Sequence, residues 1–295
     1  MPGRGVPVDE AVRRVAATLG APVRLVSAPV VHHERCVLEV ELPDGPTAFA
    51  KADLDIHRSD REARVLEAAG RAGVPVPTVL ARSAGPPAIL VLSDVGGRWL
   101  APTDPAPAWA ATGGALRALH RVTVPGLPMF GGGDDWGGGL MAVLDRWGPA
   151  ARDGGVDAAS VGRVRRAIER DGGRSPGPAP PPVTLHGDCA PIHVRTAHRG
   201  GGDWRVLGLL DLGDTCRGDA LWDLTVLTLR SPERLPDVLA GYGADHALRN
   251  RARRQVPAYR ALRLVAEAGW LVEHGFDPAR AAADAHSAVA GLDQA

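Results

Sequence analysis

The chain has 295 residues, enough for two lobes that each bury a core. Hydrophobic residues make up 45% and charged residues 23%, and the formal net charge is zero. Such values are ordinary for a soluble globular protein, and they exclude a general attraction to nucleic acid or to an anionic membrane. The three cysteines, Cys36, Cys189 and Cys216, are too few and too widely spaced for a disulfide framework, so a reducing cytoplasm is expected. The opening stretch, MPGRGVPVDEAVRR, lacks the apolar run of a signal peptide. No segment reaches the ~18 uninterrupted apolar residues of a membrane span, and no solenoid-like repeat is visible.

Residues 9–20 read as a short helix with acids at its start and Gly20 at its end. From 23 to 51 the pattern turns to β. Val37 to Leu42 alternates in part, and Asp44-Gly45 is a hairpin signal. Residues 59–72 are helical, with Ser59 as the expected N-cap. Pro75 and Pro77 force the chain out of that helix, and the apolar run 88–95 reads as a buried strand. The expected first lobe, 1–95, is therefore a mostly antiparallel sheet with one inserted helix, ended by Gly96-Gly97.

The expected second lobe, 96–295, is mainly helical: 106–121, 139–151, 157–171, 217–229, 232–242, 246–274 and 277–291. Gly and Pro make 131–139 and 171–183 irregular. Between the helices lie two short apolar segments, VTLHGD and VLGLLD, each ending in Asp. They are expected to form a hairpin-like pair that brings Asp188 and Asp211 to a common point. The fold class is α+β, with a hinge near 93–97.

One residue count is informative. Of 34 basic side chains, Lys51 alone is lysine. A chain that uses arginine wherever a generic cation suffices keeps an ammonium where a compact point charge is required, as at a phosphate. Paired carboxylates suit proton acceptance and divalent-metal binding. An ammonium, a base and a metal carboxylate together are the equipment of phosphoryl transfer, where positioning and charge neutralisation do most of the work.

These residues carry a resemblance. Leu185 to Asp223 (LHGDCAPIHVR…GLLDLGDTCRGDALWDLTVL) resembles the core of the aminoglycoside phosphotransferases, antibiotic kinases with a protein-kinase-like two-lobe fold. His186-Gly187-Asp188, Asp211, Gly218-Asp219 and Asp223-Leu224 match the family pattern. Phe49-Ala50-Lys51, Glu62 and the LRALH stretch ending at His120 fit it too. The resemblance implies ATP or GTP as co-substrate and Mg²⁺ as cofactor. It implies that Asp188 takes the proton of the acceptor hydroxyl and that His186 braces the loop. Asp211 would hold the metal, and Lys51, ion-paired with Glu62, would contact the α- and β-phosphates. Ser93, Asp94 and Val95 would meet the nucleotide base. Glu67 is a rival for the ion pair, Asp219 and Asp223 are expected to cap a helix or anchor the loop, and His120 reads as a packed helix-end histidine.

The sequence departs from the family five residues after Asp188, where His193 replaces the metal-binding Asn. His193 could act as ligand or brace in an active kinase, with a tolerance for Mn²⁺. It could instead mark a nucleotide-binding pseudokinase, or join His186 and Cys189 in a zinc site. The first is preferred because every other charged element is present. The loop SAPVVHHERC, with His32 and His33, lies where a phosphate-covering loop is expected, yet it has no glycine to let its backbone approach phosphate.

Charge also bears on the acceptor. Residues 1–97 carry 12 acidic and 11 basic side chains, and residues 98–295 carry 22 and 23. The second lobe lacks the acid excess that a polycationic aminoglycoside demands. A nucleoside or sugar-containing antibiotic, inactivated by phosphorylation, or another hydroxylated natural product is expected; the alternatives are an aminoglycoside kinase and a small-metabolite kinase of choline, homoserine or sugar type. Candidate acceptor-binding residues are Asp134, Asp135, Asp214 and Trp136, the last in its Gly-rich loop.

Overall fold

The computed structural model describes residues 5–32, 34–172 and 181–293. His33 and most of the 171–183 stretch lie outside the described residues. In chain order the elements begin with α1 (Val8–Leu19), β1 (Arg24–His32), β2 (Arg35–Glu41), β3 (Thr47–Asp53), α2 (Ile56–Arg71), β4 (Val79–Ser83), β5 (Ala88–Ser93) and β6 (Arg98–Trp99). They continue with α3 (Ala106–His120), α4 (Trp136–Asp153), α5 (Ala158–Ala167), β7 (Val183–Leu185), β8 (Val194–His198), β9 (Trp204–Leu209), β10 (Cys216–Gly218), α6 (Leu221–Leu227), α7 (Leu235–Tyr242), α8 (His246–Glu273) and α9 (Ala279–Ala290). The protein is α+β, and its chain forms two compact units.

The first unit comprises Met1–Ala101, Val122–Val124 and Ile192–Thr215. Its main sheet has strand order β1-β2-β3-β5-β4, all antiparallel. Period-two alternation sets its two faces. Cys36, Leu38, Val40, Ala48, Ala50 and Ala52 point to one side and pack with Ala11 and Val15 of α1. Lys51 points to the other side, where α2 buries Ala63, Val65, Leu66 and Ala69. A small second sheet, β6-β8-β9, belongs to the same unit. Gly97, at φ 72°, lets it form: a Cβ there would lie 2.6 Å from the Thr196 carbonyl oxygen.

The second unit comprises Pro102–Arg121, Pro125–Pro191 and Cys216–Ala295. It is mainly helical around α8, which buries Tyr259, Leu262, Leu264 and Val265. β7 pairs with β10 in a two-stranded sheet.

Several expectations need correction. The two Asp-ended segments are not a pair, since β7 joins β10 and β9 joins β8. Asp55, not Ser59, caps α2 and accepts from the backbone of His57 and Arg58. Ser59 sits a turn inside the helix. The stretch 131–139 is not all loop, because α4 starts at Trp136. Residues 217–229 open as strand before α6 begins. Strands β4, β6 and β8 went unread. Among the described residues, no helix is long and apolar enough to cross a membrane.

Candidate active site

In the first unit, Lys51 projects from β3, with Val37 and Leu90 as its register partners. Its Nζ donates to Glu62 Oε1 at 2.6 Å and to Asp211 Oδ1 at 2.9 Å. Both Lys51 and Glu62 are buried. Burial alone would lower the Lys51 pKa, but Glu62 and then Asp211 outweigh it and hold the ammonium above its usual value. The rival Glu67 instead meets Arg82, at 3.8 Å.

Asp211 follows β9 in a left-handed conformation, φ 59° and ψ 61°. It is the one non-glycine residue with positive φ among the described residues. Such strain costs about 1–3 kcal/mol and persists where the surroundings over-determine it. Here Arg61 clamps the next turn by donating twice to the Gly213 carbonyl, at 2.9 and 2.7 Å. Burial would raise the Asp211 pKa, but Lys51, Arg35 and His193 together hold its carboxyl far below the usual range.

Arg35 was not singled out from the sequence. Its Nη1 donates to Asp211 Oδ1 at 3.1 Å and Oδ2 at 3.0 Å, and its Nε lies 3.4 Å from Asp53 Oδ2. Asp53 in turn accepts a fork from Arg58, at 2.9 and 3.0 Å. The signal was there: Arg35 pairs with Asp53 and Val37 pairs with Lys51, so alternation puts Arg35 on the lysine face.

His193 ends a short 3₁₀ turn, Pro191–His193, with Nε2 3.9 Å from Asp211 Oδ2. Leu210 N–H donates to the His193 carbonyl at 2.8 Å, which ties the imidazole's backbone to the end of β9. One carboxylate and one imidazole at this separation fit a divalent ion whose other ligands are phosphate oxygens and water. Among the described residues no three His, Cys, Asp or Glu side chains gather to hold an ion by themselves. That leaves the zinc reading of His186, Cys189 and His193 without its ligand set. Burial, then Asp223 and Asp188, also pushes the Cys189 thiol well up, away from thiolate.

Ser93, Asp94 and Val95 also lie in the first unit. Ser93 Oγ accepts from Thr78 N at 2.9 Å, and Asp94 Oδ1 accepts from Gly96 N at 2.8 Å. A Cβ on Gly208 would meet Val95, so that side chain packs on β9.

In the second unit, His186, Gly187 and Asp188 follow β7, and Gly187 makes the turn at φ 90°. Asp223 of α6 braces this loop. Its carboxylate accepts from His186 N at 2.7 Å and Gly187 N at 3.0 Å, and lies 2.9 Å from His120 Nε2. His120 Nδ1 reaches Tyr242 Oη at 2.9 Å, so it links α3 and α7 to the loop and is more than packing. Asp188 Oδ1 accepts from Arg263 Nη2 of α8 at 3.0 Å. Arg263 is a second residue the sequence reading missed. It is one of six arginines on a helix with two glutamates.

The acceptor candidates do not gather in one unit. Asp214 is an exposed residue of the first unit, where its charge supports Arg58. In the second unit Asp135 caps α4 by accepting from Gly138 N at 2.7 Å, and Asp134 is exposed beside it. Trp136 packs among Phe130, Trp222 and Tyr259, and its Nε1 donates to Tyr259 Oη at 2.7 Å. That engagement is structural.

A family model described as the phosphotransferase enzyme family matches residues 44–265. No curated protein matches significantly. Among solved structures, one from Thermobifida fusca YX-ER1 assigned as a fructosamine-3-kinase has TM-score 0.68 and 21% identity, over 98% of this chain and 100% of that one. An apo, thermostable mutant of the aminoglycoside phosphotransferase APH(4)-Ia has TM-score 0.70 and 16% identity, over 95% and 98%. The GDP and kanamycin complex of APH(2")-IIia has TM-score 0.67 and 14% identity, over 95% and 96%. At these identities the likeness is one of fold.

Proposed function

Because the chain belongs to the phosphotransferase enzyme family, we propose that it moves the γ-phosphate of ATP or GTP to a hydroxyl of a small molecule. The observation that carries this reading is the junction of Lys51 with Glu62 and Asp211 at 2.6 and 2.9 Å. A buried ammonium held charged between two carboxylates is suited to α- and β-phosphate oxygens. Lys51 binds and orients these oxygens while Glu62 fixes the ammonium's direction. Asp211 and His193 are the residues that would hold Mg²⁺ or Mn²⁺. When bound, that ion neutralises charge on the phosphates. The backbone of Ser93, Asp94 and Val95 would meet the nucleotide base. Asp188 takes the acceptor's hydroxyl proton as the oxygen attacks phosphorus, and His186 and Asp223 keep its loop in place.

The fold neighbours include a protein assigned as a fructosamine-3-kinase as well as aminoglycoside enzymes, so the fold leaves the acceptor open. Local charge narrows it. A guanidinium sits on the proposed base, where a polycationic aminoglycoside would need acids. This supports a neutral or anionic acceptor, such as a nucleoside or sugar-containing antibiotic or a hydroxylated metabolite. The buried thiols of Cys36, Cys189 and Cys216 suit a reducing cytoplasm.

The test is transfer from ATP or GTP, with Mg²⁺ or Mn²⁺, to a panel of hydroxylated antibiotics and metabolites, read as a one-phosphoryl mass increase. Wild type should transfer and Asp188→Asn should not. Nucleotide binding without turnover to any acceptor or to water, at every metal concentration, would instead identify a pseudokinase.

A further inference from the structure

Arg35, Lys51 and Asp211 form an arrangement that the proposed roles do not use up. The Asp53, Glu62 and Asp211 carboxylates face the Arg58, Lys51 and Arg35 cations, and two of the pairings are self-sufficient. Arg58 forks onto Asp53 at 2.9 and 3.0 Å, and Lys51 holds Glu62 at 2.6 Å. The third pairing is Arg35 with both oxygens of Asp211, at 3.0 and 3.1 Å. Oδ1 of Asp211 thus receives an ammonium and a guanidinium together, at 2.9 and 3.1 Å. Two cations converging on one oxygen make a place for a strong anion. A divalent ion arriving alone would meet Arg35 on the carboxylate it needs.

We propose that Arg35 is a second phosphate-binding residue, parked on Asp211 until a nucleoside triphosphate draws it away. This rests on the phosphotransferase reading and adds an order of binding: the divalent ion takes Asp211 with the nucleotide, not before it. The guanidinium moves from carboxylate to phosphate, where its planar fork can grip two oxygens. Its position explains how the covering loop works without glycine. Arg35 opens β2, in register with His32 at the end of β1. A long cationic side chain there supplies what a glycine-rich backbone supplies through its N–H groups. The Arg35 side chain is 11% exposed and that of Asp211 30%, so the carboxylate is the more open partner.

The experiment uses the full chain. Mn²⁺ alone is titrated by loss of its free EPR signal, and ATP and GTP are titrated in EDTA by calorimetry. Arg35→Gln should bind Mn²⁺ at least about tenfold more tightly than wild type, because the competing cation is gone. The same variant should bind the metal-free triphosphate at least about tenfold more weakly, and the monophosphate with little change. Arg35→Lys, which keeps the charge without the fork, should leave Mn²⁺ binding weak and lower triphosphate affinity. Unchanged Mn²⁺ affinity in Arg35→Gln, or unchanged triphosphate affinity in either variant, would overturn the proposal. So would tight Mn²⁺ binding retained in the double variant Arg35→Gln/Asp211→Asn, which would put the ion elsewhere. Nucleotide binding and transfer by wild type, with transfer lost on Asp188→Asn, upholds the phosphotransferase reading whichever way the Arg35 titrations fall.

Discussion

Arg263 Nη2 donates to Asp188 Oδ1 at 3.0 Å, so the proposed base carries a guanidinium. Arg263 is held in turn by Glu267, 3.6 Å away, which Arg230 also binds at 2.7 Å. An acceptor whose hydroxyl reaches Asp188 must come within reach of this cation. For compounds that prove to be acceptors, Arg263→Glu should raise KM for anionic members and lower it for cationic ones, each by about tenfold. Matched acceptors differing only in charge, such as a sugar, its uronic acid and its amino sugar, make the comparison. Equal effects across the set would remove Arg263 from acceptor choice.

Lys51 should tolerate no replacement. Lys51→Met leaves Glu62, 2% exposed, without its cation, and should cost about 3–5 kcal/mol in urea unfolding. Lys51→Arg keeps the charge but brings a wide planar group to a slot built for an ammonium. It should fold and lose about a hundredfold or more in turnover. Near-normal turnover in Lys51→Arg would show that any cation serves there.

His193 should set metal choice. His193→Asn exchanges an imidazole nitrogen that lies 3.9 Å from Asp211 for an amide oxygen. The ratio of half-saturating Mn²⁺ to Mg²⁺ should rise about tenfold in nucleotide hydrolysis, because Mg²⁺ prefers oxygen. An unaltered ratio would leave His193 as a brace.

The alkaline limb of stability should belong to the two tyrosines. Burial, then Asp223 and Asp219, pushes the Tyr242 phenol up to about 12. Burial, then Asp219, pushes Tyr259 well above its usual value. A raised folded-state pKa means the unfolded chain loses the proton first. The stabilisation is whole below about pH 10, the unfolded value, and is lost as pH rises through the folded one. Urea midpoints should hold up to about pH 10 and fall between about pH 10 and pH 12. Tyr242→Phe should flatten that fall, although it also loses the His120 contact at every pH. An equal fall in the variant would point to other groups.

The site was legible where residue type and short spacing carry the signal. Lys51 was marked by its rarity and Glu62 by its match to the helix glutamate of the family it resembles, and the Lys51 ammonium meets Glu62 at 2.6 Å. The antiparallel sheet followed from alternation and from Asp44-Gly45. Strand partners far apart in sequence were not legible. β7 finds β10 across thirty residues, and no local pattern distinguishes that from pairing with β9. Gly137 to Gly139 masked the start of α4, since glycine disfavours helix. The structure gives one reason for them: a Cβ on Gly139 would lie 2.1 Å from the Phe130 carbonyl oxygen. Arg35 and Arg263 were hidden by abundance, because in so arginine-rich a chain one more guanidinium says nothing until its partner is known.

The solitary lysine has a practical consequence for chemistry at the bench. Among these 295 residues an acylating reagent meets a single side-chain amine. A nucleotide tagged with an acyl phosphate would therefore modify one residue, and peptide mass mapping would read occupancy of this position directly. Protection by unlabelled ATP or GTP, compared side by side, would rank the two co-substrates before any acceptor is known.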